Sequence, residues 1–412
     1  MCAVFRLHPA PALYALSRSL QYPVSSKLSE ARGATRGRRM NDRPCLRPSR
    51  RMFLAGAVGF SLSMTVGGRF PRAAGPPVDV TFLFAADIHA CLVSTDGLAP
   101  NCDAEGKTDA SLLRHVAALN ALAAQHWPHA IGGKPSGLAS AGTRISRPLG
   151  LVLGGDITDD GGGQVRQPRE GRQLQQFQSR YEQAPGPHHI HIPVYVGLGN
   201  HDLDQDGPPP NADWYRRELR DYVELTHRQT VFYKPPVPVA NYDPLSDSYS
   251  WDWGGLHLVH LQRFGGDENK GAVSGLPWLK SDLSSHAADG RPVVLFQHYG
   301  WDAFSTEAWD PAAKTFDDKG EGEPHWWSAD ERRALLDHLQ GYNVVGLFHG
   351  HEHDRVMAYR VGEIDVFKPK AAFLGGFAVV RVTGSFMDVA FGEAEGEHGH
   401  VVFTQAFSKR FD

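Results

Sequence analysis

After residue 75, hydrophobic residues come in short, continuous, β-branched runs, and each run stops at a cluster of polar residues. The five apolar runs cover 78–84, 149–153, 192–198, 293–297 and 343–348. Helical patterns, with apolar residues spaced by three and four, lie between them over 109–126, 173–183, 214–228 and 328–340. Short buried strands that alternate with helices predict a layered α/β protein, with polar residues just past the carboxyl ends of its strands.

Turn and cap signals add detail to this pattern. Ser328, with Glu331 three residues later, forms a capping box that predicts the start of a helix. Residues 249–262 alternate around a Gly-Gly pair, which predicts a hairpin. The segment 371–407 predicts further antiparallel strands, with turns at 383–384 and 393–399.

No internal repeat or linker divides the chain after residue 75. We therefore predict a single domain over 75–412 that carries two long insertions, at about 90–147 and 299–341. The second insertion is rich in aromatic residues, namely Tyr299, Trp301, Phe304, Trp309, Phe316, Trp326 and Trp327. These side chains have two interpretations: a surface that stacks on a nucleobase or apolar leaving group, or a small satellite core that holds the loop in place.

The first 74 residues have the layout of an export leader. Residues 1–52 are rich in Arg, Pro and Ser and end with the pair Arg50 and Arg51 just before Met52. A mildly apolar run over 55–68 then leads to small residues near 72–74. This layout resembles the bacterial twin-arginine signal. The resemblance implies the twin-arginine export machinery as a partner and a periplasmic or extracellular location.

The leader also leaves alternatives open. Met40 offers a second start that would give a leader of more ordinary length. The apolar run is about 15 residues long, which is shorter than the roughly 20 residues of a membrane span. An uncleaved anchor or a chance basic segment is the alternative interpretation, and membrane association is expected only if the leader stays uncleaved.

Charge and cysteine content narrow the function classes. Residues 1–74 contain 13 Lys and Arg against 2 Asp and Glu, so the remaining 29 basic and 44 acidic residues give 75–412 a net charge of −15. An acidic body argues against broad binding to nucleic acid. Cys91 and Cys102 are the two cysteines after the leader, and the sequence allows either a disulfide or two free thiols. No CxxC pair occurs, so thiolate zinc sites have no support.

Polar residues with metal-binding side chains follow each of the five predicted strands. They are Asp87, His89, Asp156, Asn200, His201, His298, His351 and His353. Carboxylate, amide and imidazole donors suit manganese, iron, zinc or magnesium better than copper(I) or an iron–sulfur cluster. The donors are too many for one ion and sufficient for two, and a carboxylate such as Asp156 can bridge two ions. Two divalent cations would leave the site positive enough to attract a phosphate and would supply a hydroxide nucleophile at neutral pH.

In this order and spacing the residues resemble the calcineurin-like metallophosphoesterase superfamily. The blocks that carry the resemblance are Asp87-x-His89, Gly155-Asp156-x-x-Asp159, Gly199-Asn200-His201-Asp202, His298 and Gly350-His351-x-His353. The resemblance implies an α/β, four-layer α-β-β-α sandwich of two mixed β-sheets flanked by helices, with the metal site on loops at the strand ends. It also implies two bound divalent ions, with manganese, iron or zinc as the candidates.

The resemblance further implies a role for each residue. Asp87, His89, Asp156 and His353 would hold one metal, and Asp156, Asn200, His298 and His351 the second. His201 would stay off the metals and protonate the leaving oxygen, with Asp202 orienting its ring. Purple acid phosphatases, one branch of the superfamily, have a tyrosine at the position of Asp159 and a glycine at that of His89, so a tyrosinate–iron site is not expected.

These observations predict an exported, dinuclear-metal phosphoric ester hydrolase that acts on a small phosphorylated substrate, with a monoester favoured over a diester. A metal-containing scaffold without catalysis is the alternative, and a lipid-facing enzyme held by its leader is a third. Other histidines have structural interpretations. His349 is expected in the core or behind the ligands, and His257 and His260 in packing. The cluster of His188, His189 and His191 is expected on a surface loop.

Overall fold

Two large mixed β-sheets form the centre of the protein in its computed structural model. The structure describes residues 78–93, 97–99, 101–161, 172–203, 211–301, 309–310, 315–316 and 327–411. The predicted leader over 1–74 lies outside these residues. No helix in the described part of the chain is both long and apolar enough to cross a membrane.

The secondary structure runs from a strand at the start of the described residues to a long antiparallel meander at the end. The strands are β1 (Asp79–Ala85), β2 (Ala130–Ile131), β3 (Lys134–Pro135), β4 (Leu151–Leu153), β5 (Val194–Val196), β6 (Asn241–Tyr242), β7 (Tyr249–Trp253), β8 (Leu256–His260), β9 (Val293–Phe296), β10 (Trp309–Asp310), β11 (Thr315–Phe316), β12 (Val344–Phe348), β13 (Met357–Val361), β14 (Ile364–Lys368), β15 (Gly376–Thr383), β16 (Phe386–Glu395) and β17 (His400–Arg410). The helices are α1 (Cys102–Glu105), α2 (Asp109–Ala121), α3 (Gln173–Tyr181), α4 (Asn200–Leu203), α5 (Asn211–His227), α6 (Leu276–His286) and α7 (Ala329–Leu339).

Each large sheet combines a parallel centre with antiparallel strands. The first sheet has the order β17-β16-β15-β1-β4-β5, and β1, β4 and β5 run parallel. The second has the order β13-β14-β12-β9-β8-β7-β6, and β8, β9, β12 and β14 run parallel. Because parallel strands end at the same edge of a sheet, the loops after β1, β4 and β5 lie side by side, as do those after β9 and β12.

The hydrophobic pattern located these elements well. All five apolar runs form strands of the two sheets, and the predicted hairpin is the β7–β8 pair. The predicted C-terminal strands are β15, β16 and β17. The four helical segments correspond to α2, α3, α5 and α7, and Ser328 caps α7 in a full capping box with Glu331. Helix α6 and the β13–β14 hairpin were not predicted from the sequence.

A fully buried aromatic cluster joins the two sheets directly beneath the polar loops. The ring of Phe82 lies 5.8 Å from that of Phe296 and 5.9 Å from that of Phe348, and Phe84 lies 5.3 Å from Phe348. Phe82 and Phe84 come from β1, whereas Phe296 and Phe348 are the last residues of β9 and β12. Each such side chain contributes about 3–5 kcal/mol to stability relative to alanine. This packing holds strand ends from both sheets close to one another.

Both insertions have part of their length in the described structure. In the second insertion, Tyr299, Trp301 and Trp327 are buried, which favours packing over a stacking surface for these three residues, but the cluster they join is a core of the second sheet that includes Val293 and Leu295 and is larger than a satellite core. Phe304 and Trp326, with the side chains of Trp309 and Phe316, lie outside the described part. In the first insertion, the structure joins Cys91 and Cys102 in a disulfide, the alternative that the sequence left open.

Candidate metal centre

The loops after five strands bring the predicted ligands together. Asp87 and His89 follow β1, Asp156 follows β4, and Asn200 begins α4 after β5. His298 follows β9, and His351 and His353 follow β12. Two groups of ligand atoms result, Asp87–His89–Asp156–His353 and Asp156–His298–His351, and within each group all the ligand atoms lie within 4.8 Å of one another. Asp156 belongs to both groups.

The backbone at the centre adopts conformations that the sequence does not signal. Asp87, His89, Asp156 and His351 have φ angles of 59°, 48°, 52° and 81°, in the left-handed region that disfavours residues other than glycine. Each such residue costs of the order of 1–3 kcal/mol, so the surrounding structure must enforce it. Hydrogen bonds between adjacent loops do so: Asp87 N–H donates to the Gly155 carbonyl at 3.0 Å, and His89 N–H to the Asp156 carbonyl at 3.0 Å.

Two glycines in the blocks are required because other atoms approach their backbone closely. A Cβ atom on Gly199 would lie 2.2 Å from Asp156 Oδ1, and one on Gly350 would lie 2.4 Å from Ala86 Cβ and 2.6 Å from Asp87 Oδ2. Distances below 3.0 Å are not found for real Cβ atoms, so a side chain at either position would displace a carboxylate. Glycine therefore lets these loops close around Asp87 and Asp156.

The first ligand group brings two imidazoles and two carboxylates to one point. His89 Nε2 lies 3.2 Å from His353 Nε2 and 3.7 Å from Asp156 Oδ2. His353 Nε2 lies 3.7 Å from Asp87 Oδ1. Asp159 Oδ1 lies 3.1 Å from His89 Nδ1, and this carboxylate can hold the proton on Nδ1 and leave the Nε2 lone pair for a cation.

The second group has the same arrangement around His298. His298 Nδ1 lies 2.9 Å from the Gly154 carbonyl, so the ring N–H donates there. Its Nε2 atom then faces Asp156 Oδ2 at 3.1 Å and Asn200 Oδ1 at 2.9 Å. His351 completes the group, and its backbone N–H donates to Asp87 Oδ1 at 3.0 Å. His298 Nε2, Asp156 Oδ2 and Asn200 Oδ1 thus face one another.

The donor set fits divalent cations. Asp156 Oδ2 is fully buried and faces His298 Nε2 at 3.1 Å and His89 Nε2 at 3.7 Å, and a buried carboxylate of this kind is stabilised by positive charge beside it. Burial raises the pKa of Asp87. Burial would also raise the pKa of Asp156, but His298 and His201 hold it well below its usual range. Burial opposes a charge on His298, yet Asp156 and Asp87 raise its pKa to about 9. Positive charge beside these carboxylates is therefore favourable, and bound divalent cations would supply it.

His201 lies at the edge of the first ligand group. Its backbone N–H donates to Asp156 Oδ1 at 2.8 Å, its Nδ1 contacts the Asp159 carbonyl oxygen, and its ring centroid is 4.6 Å from that of His89. Its side chain belongs to neither of the two ligand groups that share Asp156, but it forms a separate group of potential ligands with His89 and Asp159. The predicted role of His201 as a group that stays off the metals remains a prediction.

The Asp202 carboxylate faces the backbone of the neighbouring loops. It accepts hydrogen bonds from the N–H groups of Gly199 at 2.9 Å, Ile157 at 3.1 Å and Thr158 at 2.9 Å, and from the Thr158 hydroxyl at 2.7 Å. These hydrogen bonds connect the loop after β4 to α4, so Asp202 stabilises the arrangement of the loops at the site. Its predicted action on the His201 ring stays a prediction, since the ring contact described above is to the Asp159 carbonyl.

The remaining histidines lie where the sequence placed them. His349 is buried, with Nε2 2.8 Å from the Tyr359 hydroxyl. His260 is buried and donates to the Leu153 carbonyl at 2.8 Å. His257 lies between two carboxylates, those of Asp252 and Asp282, which raise its pKa to about 9 although burial opposes this. The cluster of His188, His189 and His191 lies in a loop before β5, where His188 and His191 are exposed and His189 is half-buried, and in none of the potential metal-binding groups of the described residues.

A cavity of about 410 Å³ lies beside α4. Leu198 and Leu203, on either side of Asn200 and His201, line it together with Arg217 and the buried Arg263. Its volume falls in the range of small-molecule sites. The cavity was not predicted from the sequence, because its walls come from distant segments, namely α5 and the loops at 244–248 and 261–275.

The α/β fold and this donor set define a metal-dependent phosphoesterase. Residues 80–355, about two thirds of the chain, match the calcineurin-like phosphoesterase family, and the chain belongs to that family. No curated protein sequence gives a significant match.

Among solved structures, the protein is similar to a dimetal phosphatase from Danio rerio, with 14% identity over 82% of this chain and 100% of that chain, and a TM-score of 0.47. It is also similar to PhoD, with 12% identity over 82% of this chain and 71% of that chain, and a TM-score of 0.47.

Proposed function

We propose that the protein is an exported phosphoric ester hydrolase that uses two divalent cations, with manganese, iron or zinc as candidates. One observation carries this proposal: two groups of buried donors share the Asp156 carboxylate. Asp87, His89, Asp156 and His353 would hold one cation. Asp156, Asn200, His298 and His351 would hold the other. We also expect helices to cover the outer faces of the two β-sheets, which would give the fold a four-layer α-β-β-α order.

The residues of the chain supply positioning and proton transfer. When bound, two divalent cations supply an activated water nucleophile and neutralise charge on the phosphate. Asp156 fixes the separation of the two groups, and its Oδ1 accepts the backbone N–H of His201 and so holds that residue in place. Because His201 Nδ1 contacts the Asp159 carbonyl, its Nε2 atom is the one that can pass a proton to the leaving oxygen.

The substrate is proposed to be a small phosphorylated molecule. A cavity lined by Leu198 and Leu203, which flank Asn200 and His201 in the chain, has room for a small organic group, and we propose that the leaving group occupies it. The net charge of −15 over 75–412 opposes binding to nucleic acid. A phosphomonoester is favoured over a phosphodiester.

The hydrolysis of paired aryl esters tests this proposal. Purified protein loaded with manganese should hydrolyse a mono-aryl phosphate faster than the matching bis-aryl phosphate. Faster turnover of the bis-aryl ester would reverse the proposed preference. If neither ester is hydrolysed while two metal equivalents remain bound, the metal-containing scaffold becomes the better description.

Export is proposed from the leader. Arg50 and Arg51, the apolar run over 55–68 and the small residues after it support a twin-arginine signal that is removed near residue 74 and a periplasmic or extracellular location. Changing both arginines to lysine in the full chain, Arg50→Lys with Arg51→Lys, should leave the precursor inside the cell. Processed protein outside the cytoplasm in that variant would contradict the proposal. Membrane-bound protein that retains 55–68 would indicate an uncleaved anchor instead.

A further inference from the structure

A buried lysine from the first insertion lies next to the metal centre. The Lys107 side chain is 8% exposed, and its Nζ lies 2.7 Å from Asp159 Oδ1 and 2.7 Å from Glu105 Oε2. Lysine is almost never buried without a partner, since its ammonium group is strongly hydrated. The position of Lys107 therefore depends on Asp159 and Glu105, and the first of these leads to a predicted metal ligand.

Asp159 connects Lys107 to His89. The same carboxylate oxygen, Oδ1, is within hydrogen-bond distance of Lys107 Nζ and, at 3.1 Å, of His89 Nδ1. The opposite nitrogen of the ring, His89 Nε2, faces Asp156 and His353. Lysine, aspartate and histidine thus form a continuous chain of polar contacts that ends at the first ligand group. A carboxylate behind a ligand histidine fixes the orientation and tautomer of its ring.

Lys107 is held in place by its backbone and by an aromatic ring. Its N–H donates to the Cys102 carbonyl at 2.8 Å, and Cys102 is joined by the disulfide to Cys91, whose N–H donates to Gln176 Oε1 at 2.8 Å. The Lys107 Nζ atom lies 5.5 Å from the centroid of Phe373, and the same ring packs against His89 at 5.4 Å. The disulfide-closed loop and the ring together fix the ammonium group beside Asp159.

We propose that Lys107 is a positioning residue for His89, acting through Asp159. This inference rests on the proposed role of His89 as a metal ligand. Without the ammonium group, the Asp159 carboxylate would lose its lysine partner at 2.7 Å and would be free to turn away from His89 Nδ1. The His89 ring would then lose the contact that keeps Nε2 directed at the first ligand group. The expected consequence is weaker metal binding, with the ligands themselves unchanged.

Calorimetric titration of the metal-free full chain with manganese tests this role. Lys107→Met should bind one of the two equivalents about 10–100-fold more weakly, the usual effect of removing a group behind a metal ligand. Lys107→Arg keeps a cation that can pair with Asp159 and should restore most of the affinity. Lys134→Met, which removes an exposed lysine of the same insertion, is the matched control and should bind both equivalents like the wild type.

A folded Lys107→Met protein that binds both equivalents with wild-type affinity would overturn the proposal. If that protein also has a raised KM for an aryl phosphate, Lys107 acts on the substrate instead. If the methionine variant does not fold, Lys107→Gln, which keeps a hydrogen-bond donor but no charge, is compared with Lys107→Arg under the same criterion. Metal affinity is measured without substrate, so the result stands even if the proposed ester hydrolysis fails.

Discussion

Replacing Asp156 with asparagine should leave a folded protein that binds at most one metal equivalent tightly and has lost nearly all phosphoesterase activity. Asparagine preserves the size of the side chain and tolerates the left-handed backbone conformation at this position, where φ is 52°. It replaces the carboxylate shared by the two ligand groups with a neutral amide. Metal ions contribute several kcal/mol of transition-state stabilisation, so we expect kcat/KM to fall by about 10³-fold or more.

The measurement pairs metal content with turnover of an aryl phosphate, and Asp388→Asn serves as the matched control. Asp388, in β16, is also a fully buried aspartate. Its carboxylate, however, accepts hydrogen bonds from two backbone N–H groups of the first insertion, those of Ala139 at 3.1 Å and Ser140 at 2.7 Å. That variant should lose stability and keep two metal equivalents and wild-type turnover. An Asp156→Asn protein with both equivalents and wild-type kcat/KM would contradict the shared-carboxylate proposal.

The sequence was sufficient to predict the strands and the ligand blocks because both depend on local pattern. A continuous apolar run such as Val344–Phe348 favours burial, and the polar residues that follow it are then expected at the end of a strand. His351 and His353 were found in this way. Parallel strands in two sheets then bring such ends to one place, which no single segment specifies. The resemblance to a known family was needed to group the donors into two sets.

Other features of the site depend on contacts between distant segments. Nothing in the sequence indicates positive φ angles at Asp87 and His89, because these conformations are imposed by hydrogen bonds from the loop after β4. Asp202 stands next to His201 in sequence, yet its side chain faces the backbone of Ile157 and Thr158. Lys107 belongs to no motif and precedes the predicted helix over 109–126, so only its burial in the folded protein identifies it.

Replacing His201 with alanine should reduce kcat by about 10²–10⁴-fold, the usual contribution of a general acid, while metal binding stays intact. Its imidazole belongs to neither ligand group that shares Asp156, and an alanine at 201 keeps the backbone N–H that donates to Asp156 Oδ1. The metal content of the variant should therefore equal that of the wild type. His338→Ala, which removes a partly buried histidine on α7, is the matched control and should keep wild-type kcat.

The dependence on the leaving group separates proton transfer from a merely structural role. A general acid matters most when the departing oxygen is strongly basic, because an alkoxide leaves poorly without a proton. The loss caused by His201→Ala should therefore be large for an alkyl phosphate and much smaller for a nitrophenyl phosphate. An equal loss for both esters, with metal content unchanged, would indicate that His201 stabilises charge on the phosphate and does not donate the proton. Loss of a metal equivalent would make His201 a ligand or a support for one, and the first ligand group would then have to include it.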